Sequence, residues 1–158
     1  MLLAVKALAL LPPEERLVIV GRKTSYTNSV MEYAAAHGLD DRITLLHGAP
    51  NDDLHAIYHL ASCFVYPSRY EGFGIPIIEA IQSGLPVVAA TQSCLEEAGG
   101  PDSLYVDPDD DVAMAKAIRE AEENREERVS RSREYIRRFE NSNIAREMMQ
   151  EYRRVTEG

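Results

Sequence analysis

Short, uninterrupted apolar runs recur through the first two thirds of the chain, and segments with a helical pattern separate them. Leu17–Val20 closes on Gly21, Ile43–Leu46 has Gly48 behind it, and residues 63–66 end at Pro67. Residues 86–90 and Leu104–Val106 continue the series. Between the runs, residues 26–37 read as a helix closed by Gly38, and Asn51 or Asp52 caps a helix running to about Ala61. Pro76 opens a third helix that Gly84 closes. Strands that are apolar at every position, alternating with helices, belong to a parallel sheet covered on both faces. Right-handed crossovers then predict an α/β fold with a doubly wound, Rossmann-like sheet.

The two ends differ from this pattern. Residues 1–11 are rich in Ala and Leu and stop at Pro12 and Pro13, which predicts a helix. They are not a secretory signal, because Lys6 interrupts the run and no basic region or small-residue cleavage site flanks it. They are also too short to span a bilayer. From about Val112, and counting the acidic cap from about residue 109, the chain is expected to be helical throughout. Its apolar positions there are Ala117, Ile118, Val129, Ile136, Phe139, Ile144, Met148 and Tyr152. The whole of residues 1–158 reads as one Rossmann-like domain. Such a domain normally begins with a strand, whereas this chain begins inside a helix. The expectation is a piece of something longer, entered after its first strand.

Composition narrows the function classes. With 45% hydrophobic residues in 158, there is material for a core, so whole-chain disorder is excluded. Seventeen basic and twenty-six acidic side chains give a net charge of −9, which disfavours nucleic acid as a partner. The deficit of cations is local: the first 108 residues hold thirteen acids and six bases, the remainder thirteen acids and eleven bases. Two cysteines, Cys63 and Cys94, make no disulfide framework and suit a reduced, cytoplasmic protein.

In open α/β sheets, ligands bind at the carboxyl ends of the strands. The richest loop at such an end runs from Pro67 through Arg69, Tyr70, Glu71, Gly72, Phe73, Gly74 and Ile75 to Pro76. Gly72 and Gly74 let the backbone turn sharply and let a ligand approach. A helix starting at Pro76 would aim the amides of Phe73, Gly74 and Ile75 outward, an arrangement suited to phosphate. Glu71 in the loop and Glu79 in the first helical turn could accept hydrogen bonds from hydroxyls. Taken singly, the glycines are a tight turn, Glu79 a dipole-matched surface residue and Arg69 a solvated charge. Phosphate donors beside two hydroxyl acceptors form the combination that fits a sugar nucleotide.

Pro67 and Ser68, the run Glu71-Gly72-Phe73-Gly74, Pro76, Glu79 and Ala80, Gly84, and Pro86 to Val88 together resemble the signature of retaining glycosyltransferases of family 4, the group 1 type. Two glutamates seven residues apart, as Glu71 and Glu79 stand here, belong to that motif. Val20-Gly21, the Ile43 to Gly48 segment, Asp53-Leu54 and residues 104–108 fall in the family's order, as does a final helix ending at residues 152–155. The resemblance implies the carboxyl-terminal, donor-binding half of an enzyme with two Rossmann-like domains facing across a cleft, the GT-B fold. By that resemblance Glu71 is the catalytic-centre residue touching the donor sugar. Gly72, Phe73, Gly74 and Ile75 would hold sugar and phosphates through their amides, and Glu79 would bind the ribose hydroxyls. The implied reaction moves a sugar from a UDP-, GDP- or ADP-linked donor to an acceptor with retention of configuration, with no metal and no cofactor. The acceptor would bind through the other domain, and no membrane association is indicated by these residues.

The chain also departs from the family pattern. The family's Arg and Lys that contact the diphosphate lie in an opening segment not present here; Arg22 and Lys23 follow a later strand and are given no such role. Residues 92–97 replace the family's more usual Pro-Glu. The isolated chain is therefore expected to have no transferase activity, since half of the cleft is absent. Two other classes compete: a non-catalytic nucleotide-sugar binding module, and a sugar-nucleotide epimerase of the same architecture, against which the residue 71–74 run argues.

Several other features read as structural. His55 and His59 stand four apart on a helix, but no third ligand accompanies them, so a surface pair is expected. Asp107 to Asp111 reads as helix capping, Cys63 as a core residue, and the Arg/Glu mixture of residues 120–138 as a solvated helical face with i,i+4 pairs.

Overall fold

The computed structural model describes residues 1–91 and 94–140. Helix α1 (Leu2–Leu8) ends ahead of Pro12, where the ring would clash with the preceding turn. Strand β1 (Leu17–Val20) leads to α2 (Ser25–Ala36), which is started by a capping box: Thr24 Oγ1 accepts from the Thr27 N–H, and Thr27 Oγ1 accepts from the Thr24 N–H. A 3-10 turn (Asp40–Arg42) precedes β2 (Ile43–Leu46), and α3 (Asn51–Leu60) precedes β3 (Phe64–Tyr66). Then come α4 (Ile75–Gln82), β4 (Val87–Ala90), α5 (Leu95–Gly99), β5 (Leu104–Val106), α6 (Asp111–Glu123) and α7 (Arg125–Ile136), with a last 3-10 turn at Arg137–Phe139.

Every strand pair is parallel. β1 and β2 form one sheet, with Leu17 opposite Ile43 and Val20 opposite Leu46. β3, β4 and β5 form another in that order, with Phe64 opposite Val87 and Val88 opposite Leu104. Helices cover both faces of the three-stranded sheet, as runs of Val and Ala in β4 require. Val87 and Ala89 of β4 pack under α3, α4, α5 and α7, against Tyr58, Ile77, Ile81, Leu95 and Ile136. Val88, between them, points to the opposite face, where Leu3 and Ala7 of α1 meet Met114 and Ile118 of α6. Val5 of α1 belongs to a third cluster with Val30 and Ala34 of α2, against Leu17 and Ile19 of β1. Helix α1 thus packs into the cores of both sheets.

Three expectations need correction, and one helix has no counterpart in the sequence pattern. Helix α3 is capped by Pro50, whose carbonyl accepts the Leu54 N–H at 3.0 Å, so Asn51 is the first helical residue and not the cap. Cys63 precedes β3 and does not begin it; burial pushes its thiol up to about 12, as befits a packed side chain. The helical last third is broken at Asn124, where the backbone turns (φ −112°, ψ 26°) and α7 starts in a new direction, and Glu140 is extended. Helix α5 was not predicted at all, because its five residues are too few to show a period. Ile144, Met148, Tyr152 and the final helix at residues 152–155 lie outside the described residues.

The arginines of α7 are more than a solvated face. Arg131 does pair with Glu127 at i,i+4, and Arg137 with Glu134 at i,i+3. Arg125, however, donates to the carbonyls of Ala61 and Gly84, and Arg133 to those of Ile81 and Gln82. Ile81, Gln82 and Gly84 stand at the carboxyl end of α4 and Ala61 caps α3; helix C-termini lack internal partners, and the guanidinium forks fasten α7 across both.

Candidate functional site

The loop between β3 and α4 leaves the carboxyl end of β3, where the parallel strands present their turns. Gly74 caps α4 with φ +104°, a conformation that side-chain-bearing residues rarely adopt. It is also closely packed: a Cβ there would lie 3.0 Å from Leu95 Cδ2 and 3.2 Å from Ala98 Cβ. Helix α5 therefore sits directly on the bend that starts α4. The Ile77 N–H donates to the Gly74 carbonyl at 2.9 Å, so the helix starts at Ile75, ahead of Pro76. Proline at this second position costs nothing, since its missing N–H would have had no partner. The consequence is a correction: Glu79 lies in the second turn of α4, not the first, so complementing the helix dipole is a weaker account of it.

Gly72 contrasts with Gly74. It is exposed, and a Cβ there would meet nothing within 4 Å. Among the described residues, no hydrogen bond engages the N–H of Gly72, Phe73, Gly74 or Ile75. Phe73 is half-buried and anchors the loop, its ring edge-on to Phe139 at 5.2 Å. Ile75 is 62% exposed. At the amino end of α4, Gly72 and Ile75 form an exposed ledge, while Gly74 between them is buried against Leu95 and Ala98 and Phe73 is half-buried. Such a helix end carries roughly half a positive charge and favours anions.

Both glutamates border this ledge. Glu71 is exposed on the loop and Glu79 half-buried on α4. Glu79 Oε2 accepts a hydrogen bond from the Tyr58 hydroxyl at 3.4 Å. Burial first, then the Glu79 charge and hydrogen bond, push Tyr58 up to about 12. Burial, followed by the Glu71 carboxylate, likewise raises Tyr66. The Glu71 carbonyl accepts from Cys94 Sγ at 3.1 Å, tying the loop to the start of α5. Arg69 forms a two-pronged ion pair with Asp109 and also donates to the Pro108 carbonyl at 3.3 Å, linking the loop to the β5–α6 turn. The bond to Arg69 holds the Asp109 carboxyl below its usual range.

All six predicted site residues therefore stand on one loop and the helix it opens. Arg22 and Lys23 are exposed after β1, and no ion pair of theirs occurs among the described residues. His55 and His59 are exposed on α3, and among the described residues no group of three or more His, Cys, Asp or Glu converges to hold a metal ion. The acidic run divides its work: Asp110 caps α6 by accepting the Ala113 N–H at 2.7 Å, while Asp107 accepts the Asp109 N–H. Tyr58, Cys94 and the Arg69–Asp109 pair escaped the sequence reading, because their partners lie on other elements and no spacing announces them.

Comparison with known proteins places this geometry. Residues 1–139 match the family described as "Glycosyl transferases group 1". The chain is 35% identical over 128 residues to the O-antigen chain mannosyltransferase RfbU of Salmonella typhimurium, an alignment covering 81% of this chain and 36% of that protein. It is 37% identical over 117 residues to O-antigen chain mannosyltransferase B of Escherichia coli, covering 72% of this chain and 31% of that protein. The chain thus spans about a third of the length of these relatives. Among solved structures, sucrose-phosphate synthase from Thermosynechococcus elongatus superposes with a TM-score of 0.83 at 28% identity, over 98% of this chain and 42% of that one. HepE of Anabaena, solved in complex with UDP-glucose, superposes with a TM-score of 0.80 at 23% identity over 94% of this chain and 44% of that one. The latter similarity is one of fold.

Proposed function

Because the chain belongs to the group 1 glycosyl transferases, we propose that residues 1–158 are the donor-binding domain of a two-domain enzyme that transfers a sugar from a nucleoside-diphosphate sugar to an acceptor. The observation that carries this reading is the ledge itself. Among the described residues, the N–H groups of Gly72, Phe73, Gly74 and Ile75 at the amino end of α4 donate no hydrogen bond, and Glu71 and Glu79 flank them along the chain. Amides at a helix end hold phosphate oxygens without a metal ion or a long cationic side chain. Carboxylates on either side accept from the hydroxyls that a sugar and a ribose present at the two ends of a diphosphate.

Glu71, on the loop, faces the sugar, and Glu79, set back on the helix, takes the ribose. Negative charge develops on the diphosphate as the glycosidic bond breaks, so amides preorganised around it stabilise the transition state more than the ground state. Transfer proceeds with retention and needs no metal. Mannose is the first donor sugar to test, since both relatives above are mannosyltransferases. The acceptor binds to the partner domain across the cleft, so the isolated chain has no turnover. A cytoplasmic location fits; no helix among the described residues is long and apolar enough to cross a membrane.

Calorimetric titration of the full-length protein with GDP-mannose, UDP-glucose and ADP-glucose tests the reading. Saturable binding of one of them, weakened at least tenfold by Glu79→Ala, is the expected result. A folded protein that binds none of the three, nor the free diphosphates, removes the donor site. Turnover by residues 1–158 alone would overturn the two-domain requirement.

A further inference from the structure

We propose that Tyr58 is a positioning residue that aims the site carboxylate Glu79. This deepens the reading above and rests on it. Tyr58 lies in the last turn of α3 and is 5% exposed, with its hydroxyl 3.4 Å from Glu79 Oε2 on the neighbouring α4. Its ring stands at one end of an aromatic row that reaches Tyr66, the last residue of β3. Tyr58 meets Phe64 edge-on at 5.6 Å, and Phe64 stacks on Tyr66 at 5.7 Å with an interplanar angle of 21°. Phe64 and Tyr66 share a face of β3 because side chains alternate along a strand. The row is packed against the cluster of Ile77, Ile81 and Leu85, which holds the Tyr58 ring beside Glu79.

The chemistry of the partner matters. A carboxylate beside Arg or Lys is neutralised and has its oxygens occupied by a competing ion pair. Among the described residues neither Glu71 nor Glu79 forms such a pair. A phenol donates a single hydrogen bond, which orients the carboxylate while leaving its charge and its remaining lone pairs for ligand hydroxyls. Burial keeps the Tyr58 phenol protonated well beyond neutral pH, so it remains a donor at any working pH. Tyr58 reaches the carboxylate assigned to the ribose, so its removal should be felt on the nucleoside end of the donor.

The test uses the full-length enzyme with Tyr58→Phe and Glu79→Ala. The Phe variant keeps its ring and loses only the hydroxyl. Tyr58→Phe should weaken nucleoside-diphosphate binding and raise the donor KM about three- to tenfold, the size expected for one lost hydrogen bond, with kcat unchanged. Failure of Glu79→Ala to weaken the nucleotide would sink the donor-site reading itself. Weakening by Glu79→Ala alongside a Tyr58→Phe variant indistinguishable from wild type would instead overturn the positioning role of Tyr58. Equal losses of kcat and of thermal stability in Tyr58→Phe would reduce it to a packing residue.

Discussion

β4 and β1 are both four-residue aliphatic runs, yet they meet different fates. All four side chains of β4 are buried, with Val88, Ala89 and Ala90 at 0% exposure. In β1, Leu17 and Ile19 pack inward, whereas Val18 and Val20 remain 46% and 40% exposed. Residue type does not separate the two. What separates them is cover: β4 has a strand on each side and helices on each face, while β1 pairs only with β2 among the described residues. The ledge and its two glutamates are carried by the three-stranded half. A surface that must hold donors fixed to within a fraction of an ångström stands on the part whose side chains have no room to move.

The comparison can be broken first by cavities. Leu95→Ala removes a fully buried side chain from beneath the ledge and should cost about 2–5 kcal/mol of unfolding free energy. Val18→Ala, on the open face of β1, should cost under about 1 kcal/mol. Urea denaturation of both variants checks the contrast; equal losses would mean that β1 is covered as fully as β4.

The two ledge glycines sharpen it next. Gly74→Ala forces a side chain into a φ of +104° and into Leu95 and Ala98, a loss of about 1–3 kcal/mol. Gly72→Ala meets nothing and should leave stability within about 0.5 kcal/mol of wild type. If the ledge holds a diphosphate, Gly72→Ala nevertheless weakens nucleotide binding, which calorimetry detects in a variant that is as stable as the parent.

A smaller effect is pH-dependent. Burial raises the phenols of Tyr58 and Tyr105 to about 12 and that of Tyr66 further still, all three in the three-stranded half or the helices on it. A phenol whose folded value lies above its unfolded one contributes stability that is complete below about pH 10. That stability is lost as pH rises through 12, because the unfolded chain releases its proton first. Alkaline titration followed by tyrosinate absorbance should show delayed ionisation, and Tyr58→Phe should flatten the alkaline decline in stability. The smallest effect belongs to the Arg69–Asp109 pair. Both partners are exposed, so Arg69→Ala should leave the denaturation midpoint unchanged, and added salt should make no further difference.

Much of the fold was legible in the chain. The strands stand on the apolar runs, β1 and β3 ending directly on Gly21 and Pro67, because a buried parallel strand is apolar along most of its length. The ledge was legible for a related reason: Gly72, Gly74 and Pro76 declare a sharp turn into a helix, and Glu71 and Glu79 are the charged residues beside it. The exact start of α4 was not. Gly74 in the left-handed region lets the helix begin at Ile75, which moved Glu79 back a turn. Helix α5 was illegible because five residues form less than two turns, and its role is to fill the space that the glycine leaves open.

By its own pattern, then, the chain determined element type, strand direction and the loop that bears the site, since these depend on periodicity and on glycine and proline stereochemistry, which are local. Only the tertiary structure decided which apolar runs are covered, which hydroxyl meets which carboxylate, and which arginines close the end of α4. Those contacts join residues 21 to 52 positions apart, and hydrogen bonds between residues so distant leave no period in the sequence, because only packing brings them together.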